Sequence, residues 1–132
     1  MELNLELAKY RLERAKEDLD CSIEELEKHK LRIAANRAYY SIFHSMRSIL
    51  ALEAKDFKKH SAVRAYFNQY YINAGLFPSK LSKLISKAEE IRNASDYDDF
   101  YIAVLDEVKE QVESAKLIYG LVEKYINNIG DK

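Results

Sequence analysis

Two long apolar stripes, one at each end, constrain this chain more than any other feature. Leu5, Ala8, Leu12, Ala15, Leu19, Ser22 and Leu26 are spaced by threes and fours. An α-helix turns about 100° per residue, so this spacing gathers them on one face. It predicts an amphipathic helix from Leu3 to Lys28. Leu105, Val108, Val112, Ala115, Tyr119, Val122, Ile126 and Ile129 repeat the pattern and predict a final helix from Phe100 to Asn128. Faces of that length must be covered, by each other or by the helices between them.

The middle of the chain reads as three more helices. The polar "EKHK" breaks the first helix, and a second follows from Leu31 to Ala54. Its inward positions are Ile33, Tyr39, Ile42, Phe43, Met46, Ile49 and Leu50. "KDFKKHS" is a connection, with Ser61 as the expected N-cap of a short third helix from Ala62 to Tyr71. "NAGLFPS" holds two of the chain's few breakers, since there are only three Gly and one Pro. Gly75 suits a positive φ and Pro78 suits a helix start. The fourth helix, Ser79 to Ala94, turns Leu81, Leu84, Ile85, Ala88 and Ile91 inward. "SDYDD" then supplies Asp98 or Asp99 as the N-cap of the last helix. No segment alternates with a period of two. The expectation is an all-α, five-helix up-and-down bundle with long first, second and last helices, a short third helix, and one domain over residues 1–132.

Composition narrows the setting. Cys21 is the single cysteine, so no internal disulfide forms. The N-terminus is charged, without the apolar core of a signal peptide, and no apolar run reaches the length of a membrane span. A cytoplasmic protein without a membrane contact is expected. Net charge is −1, yet it is segregated: −4 over Met1–His29, +8 over Lys30–Arg92 and −5 over Asn93–Lys132. A basic middle third favours an anionic partner or an acidic protein surface. Packing of acidic outer helices beside basic middle ones would give the same layout.

Three constellations carry candidate chemistry. In "NRAYYSIFH", helical spacing puts Arg37, Tyr40, Ser41 and His44 on one face, with Ser48 one turn on. An arginine and a histidine flanked by hydroxyls can hold an anion, and His44 can move protons near neutral pH. Equally, serines and tyrosines of this kind fill ordinary helix–helix seams. In "IRNASDYDDF", Arg92 continues the apolar stripe of the fourth helix, where a charge is costly unless paired. Asp96 and Tyr97 are its candidate partners, either as a site or as an internal salt bridge. Around "KDFKKHS", Lys55, Lys58, Lys59 and His60 are followed by Arg64 and interleaved with Phe57, Tyr66, Phe67, Tyr70 and Tyr71. Basic groups among aromatics suit single-stranded nucleic acid. A solvated lysine face beside a core-facing set of Tyr66, Phe67 and Tyr70 explains the same residues. His29, His44 and His60 are too far apart for a local metal site, and no metal or cofactor is expected.

"NRAYYSIFHSMRSIL", "KKHSAVRAYFNQYYINAGLFP" and "LISKAEEIRNASDYDDF" together resemble the HEPN (higher-eukaryote and prokaryote nucleotide-binding) domain family, in a small stand-alone prokaryotic branch. The resemblance spans about Leu5 to Ile126. It implies an all-helical domain that dimerises, often accompanied by a minimal nucleotidyltransferase as toxin and antitoxin. Active members are metal-independent ribonucleases whose motif is an arginine, four to six residues, then a histidine, with a polar residue after the arginine. Two copies meet, and RNA is cut in the cleft between them. Arg92-Asn93 begins like that motif on the fourth helix, but Tyr97 stands at the histidine position. Arg37 to His44 fits the loose spacing, on the second helix. By position the counterpart is Arg92, Asn93 and Tyr97. A phenol with an ordinary pKa near 10 is a poor base at neutral pH.

Three functions follow. The first is a HEPN-like module that binds RNA, a nucleotide or a nucleotidyltransferase partner, as one half of a toxin–antitoxin pair and as a homodimer. Its site residues are Arg37, Tyr40, His44, Lys58, Lys59, His60, Arg92, Asn93, Asp96 and Tyr97. The second is a ribonuclease toxin with Arg92 and His44 as catalytic groups. The third is a structural or regulatory helical protein. The arrangement that separates them is spatial: whether Arg37, His44 and Arg92 meet at one open surface.

Overall fold

The computed structural model describes residues 2–131. The described chain forms α1 (Glu2–Glu27), α2 (Leu31–Ala51), α3 (His60–Phe67), α4 (Leu81–Tyr97) and α5 (Leu105–Gly130). A wider π-helical turn, Asn68–Ile72, continues α3. No strand occurs among the described residues. The fold is an all-α bundle whose long helices are α1, α2 and α5.

α2 is the central element and packs against α1, α3, α4 and α5. This explains why its sequence has little of a solvent face: fourteen of its twenty-one residues are buried. Its seam with α1 is built from small residues. Ala8, Ala15, Ser22, Ala38, Ser41, Ser45 and Ser48 are buried, and Ser41 Oγ donates to the Ala15 carbonyl at 2.9 Å. Most of the polar column expected on α2 therefore lines a helix seam. The main core joins Leu12 and Leu19 to Ile42, Met46, Ile49 and Leu50, to Phe67, Leu81 and Ile85, and to Ile118, Val122 and Ile126. A smaller cluster of Ala34, Ala35, Ile91 and Val108 closes the other end, with Tyr101 and Ala103 packed on it.

Two helix ends explain the connections around the site. α1 stops where His29 adopts a left-handed φ of 58°. Lys30 N then donates to Glu25 O and His29 N to Leu26 O, the two bonds of a Schellman cap. α2 ends the same way: Ala54 takes φ 57°, and Lys55 N donates to Leu50 O. The chain reverses there and delivers Asp56 to Lys59 across the end of α2.

Several boundaries differ from expectation. α3 begins at His60, after an extended Lys59 with no side-chain cap, so Ser61 is not its N-cap. α4 begins at Leu81 and runs on to Tyr97. Neither Asp98 nor Asp99 caps α5: Asp98 ends α4 in an extended conformation, and α5 starts after Val104. Asp98 Oδ1 instead accepts from Phe100 N at 3.0 Å. Burial of Tyr101 and Ala103 against the small cluster holds this segment out of the helix, and Asp106 and Glu107 supply the acidic first turn. Ile33 is 48% exposed, because at its level the alanines Ala34, Ala35 and Ala38 fill the inward positions. Tyr70, read with the core-facing set, is 49% exposed.

Candidate nucleic-acid interface

Tyr40 organises the candidate site. The Arg37 guanidinium lies 5.0 Å from the centre of its ring and that of Arg92 lies 5.7 Å from it. Arg92 Nη2 donates to the Tyr40 hydroxyl at 3.1 Å. Arg92 also sits 5.3 Å from the Tyr39 ring. Helices α2 and α4 thus bring their arginines to one tyrosine, in cation–π contact. Carboxylates hold both arginines. Arg37 Nη1 is 3.1 Å from Asp18 Oδ1, and Arg92 Nε is 3.0 Å from Asp96 Oδ2. The buried Arg92 Nε–H is not aligned on any acceptor despite that approach, so this pair is close without a good hydrogen bond. Arg92 Nη1 reaches Asn93 Oδ1 only at a long 3.5 Å.

His60 joins this group from α3. Its Nδ1 shares a 2.8 Å hydrogen bond with the Tyr39 hydroxyl. Its ring stacks on Phe43 with centres 3.9 Å apart and meets Tyr40 edge-on at 6.0 Å. Burial and then the positive charge of Arg92 hold its pKa below the ordinary histidine value, while Glu89 opposes them. Nε2 has no hydrogen-bond partner among the described residues, and His60 borders an open cavity of about 350 Å³. Phe43, Arg47, Asp56, Phe57 and Lys58 line the rest of that cavity. Arg47 is tied to Asp56 there at 3.1 Å. Lys58 and Lys59 are exposed beside it. Phe57, Tyr66 and Tyr70 continue outward as a strip, with ring centres 5.7 and 4.5 Å apart.

Two of the candidates stand apart. His44 is buried, and its Nε2 approaches Asp18 Oδ2 at 3.8 Å on the α1 side. Burial first, then Arg14, Arg47, His60 and Arg11, push its pKa down to about 4. The imidazole is neutral at pH 7, so that approach is not an ion pair. Its Nδ1 is buried without a partner. Tyr97, at the motif position on α4, is 76% exposed. Arg37, Tyr40, His60, Arg92, Asn93 and Asp96 are gathered, with Lys58 and Lys59 beyond His60. Tyr39, Phe43 and Arg47 were not among the candidates. Their four-residue spacing on α2 is the signal that places them together on the face that His60 covers.

A HEPN domain model matches residues 8–125. The chain belongs to the HEPN domain family. A Thermotoga maritima protein with the name "UPF0332 protein" is 29% identical over 123 residues, 93% of each chain. Two Methanocaldococcus jannaschii proteins bear the name "Putative toxin". One is 34% identical over 86 residues, 65% of this chain and 64% of that one. The other is 28% identical over 115 residues, 87% and 78% respectively. Among the described residues of this HEPN chain, no helix is long and apolar enough to cross a membrane.

Proposed function

We propose that this HEPN chain binds single-stranded RNA or a nucleotide at the surface formed by Arg37, Tyr40, His60 and Arg92. The observation that carries the reading is the meeting of both arginines on one tyrosine ring, beside an imidazole with a free nitrogen. Guanidinium groups hold phosphate by charge-assisted hydrogen bonds. Lys58 and Lys59 extend the positive surface, and the Phe57–Tyr66–Tyr70 strip offers rings on which bases stack. Asn93 and Asp96 orient Arg92, while Tyr97 extends beyond it. His44 supports α2 from behind and does not touch ligand. The homologues named as toxins favour a place in a toxin–antitoxin pair. In such a pair the partner is a minimal nucleotidyltransferase and the chain acts as a cytoplasmic homodimer. Binding of a fluorescent oligoribonucleotide at low salt tests the reading. Wild type should bind and Arg92→Ala should bind more weakly; equal binding by both removes this site.

The free nitrogen of His60 favours a second reading, metal-independent RNA cleavage. Here a ribose 2′-oxygen attacks phosphorus, its proton passes to His60 Nε2, and the bond to the 5′-oxygen breaks as that oxygen takes a proton from water. Arg92 stabilises the charge on the phosphoryl oxygens. His44 is too buried for this role. Cyclic 2′,3′-phosphate products that persist in chelator and vanish in His60→Gln are expected of it. Intact RNA after prolonged incubation leaves the binding reading alone.

A further inference from the structure

The segment between α4 and α5 behaves as a strand with no sheet. Phe100, Ile102 and Val104 are 91, 80 and 55% exposed. Tyr101 and Ala103, between them, are half-buried and pack on Ala34, Ala35, Ile91 and Val108. That alternation has the two-residue period of extended chain, and Val104 has strand-like φ −103° and ψ 129°. Tyr101 N donates to Asp98 O, and Val104 O accepts from Val108 N. No backbone or side-chain hydrogen bond among the described residues engages the N–H of Ile102, Ala103 or Val104. The carbonyls of Tyr101, Ile102 and Ala103 are equally without partners. A row of bare backbone groups beside three exposed apolar side chains is what a sheet edge offers to an added strand.

Charge decides what can be added. Residues 96–107 contain Asp96, Asp98, Asp99, Asp106 and Glu107 and no lysine or arginine. Consider a second copy pairing antiparallel about Ile102. Residue 102+n would face residue 102−n, so Val104 would meet Phe100 and Asp106 would meet Asp98. That brings Asp98 of each copy up to Asp106 of the other, carboxylate against carboxylate at both ends of the pairing, which is unfavourable. A basic strand would meet the same groups with opposite charge.

We propose that Tyr101–Val104 is a docking edge for an extended segment of a different protein, one that alternates apolar residues with lysine or arginine. The segment adds as a strand along one edge, where it meets the N–H and C=O of Ile102 and the N–H of Val104. Its apolar side chains cover Phe100, Ile102 and Val104, and its cations meet Asp98 and Asp99 at one end and Asp106 and Glu107 at the other. The proposal stands independently of the RNA-binding reading. Because Asp96 pairs with Arg92, the docked segment also reaches the neighbourhood of the arginine site.

The test uses the full chain, isotopically labelled, and a capped octapeptide of alternating valine and lysine. The amide signals of Ile102, Ala103 and Val104 should shift, and those of Ile102 and Val104 should gain protection from hydrogen exchange. An alternating valine–glutamate peptide should bind at least about tenfold more weakly. N-methylation along one edge of the lysine peptide should remove the protection. Ile102→Pro should abolish binding with the helical circular dichroism unchanged, and Asp98→Asn with Asp106→Asn should weaken it without affecting folding. No shifts at millimolar lysine peptide, or equal binding of the glutamate peptide, overturns the proposal. So does a concentration-dependent dimer in analytical ultracentrifugation that Ile102→Lys dissolves, since a second copy would then cover the edge.

Discussion

Two histidines touch the same phenylalanine and have opposite surroundings. His44 and His60 lie 5.6 and 3.9 Å, ring to ring, from Phe43. His44 faces the seam with α1, where burial first, then Arg14, Arg47, His60 and Arg11, push its pKa to about 4 and fix it as a neutral packing group. His60 is only partly covered, has one nitrogen satisfied by Tyr39, and borders an open cavity that Arg47 and Lys58 also line. Sequence spacing alone favours His44, because it follows Arg37 by a plausible interval on one helix. Burial favours His60. The difference teaches that a histidine's neighbours on other helices decide its chemistry more than its neighbours in sequence.

The largest expected effect is on the open side. Arg92→Ala removes the guanidinium shared by Tyr39 and Tyr40, and RNA affinity should fall by about 1.5–3 kcal/mol, measured by fluorescence anisotropy. An unchanged affinity would break the comparison at its stronger end.

On the sealed side the effect is on stability. His44 has a folded pKa near 4 and an unfolded pKa near 6.5, so the unfolded chain binds more protons between those values. Its contribution is complete above about pH 6.5 and is lost as pH falls towards 4. From pH 7 to pH 5 the loss is about 2 kcal/mol. Asp18, whose carboxyl is raised by burial against the pull of Arg37, works in the opposite direction. The readout is therefore the difference between wild type and His44→Gln in urea unfolding across that range. The variant should have the flatter profile, and parallel profiles would show that His44 titrates normally.

Tyr40→Phe is a smaller perturbation. It keeps the ring under both guanidiniums and removes one hydrogen bond to Arg92, so affinity should fall by about 0.5–1.5 kcal/mol. A loss as large as that of Arg92→Ala would mean that the hydroxyl contacts the ligand itself.

The smallest effect belongs to protonation of His60. Its pKa is held below the ordinary value, and a bound phosphate raises it. RNA should bind more tightly as pH falls from 7.5 to 6, by about threefold. That dependence should disappear in His60→Gln and persist in His44→Gln. The reverse pattern would exchange the roles of the two histidines.

The helices were legible because burial imposes a period that survives in the sequence. Ala8 to Ser22 and Val108 to Ile126 repeat by threes and fours, and the structure buries most of them. Arg92 was legible for the same reason, as a charge on an apolar line that required partners. The start of α5 was not. Asp98, Asp99 and the following residues satisfy every local rule for a helix start, but Tyr101 and Ala103 gain more from packing on Ala34 and Ile91 in extended form. The site around His60 was only half legible. Lys58, Lys59 and His60 stand out as a basic cluster. Their juxtaposition with Arg92 depends on the reversal at Ala54 and on where α3 docks, which no local pattern encodes.

The central claim is that Arg92 and its neighbours hold an RNA phosphate while His44 does not. Titrating a single-stranded oligoribonucleotide across a salt series tests it most directly. For wild type and His44→Gln, the logarithm of affinity should fall along the same line with the logarithm of salt concentration. Arg92→Ala should give weaker binding and a shallower slope. Absence of binding at low salt, or identical lines for wild type and Arg92→Ala, would contradict the account.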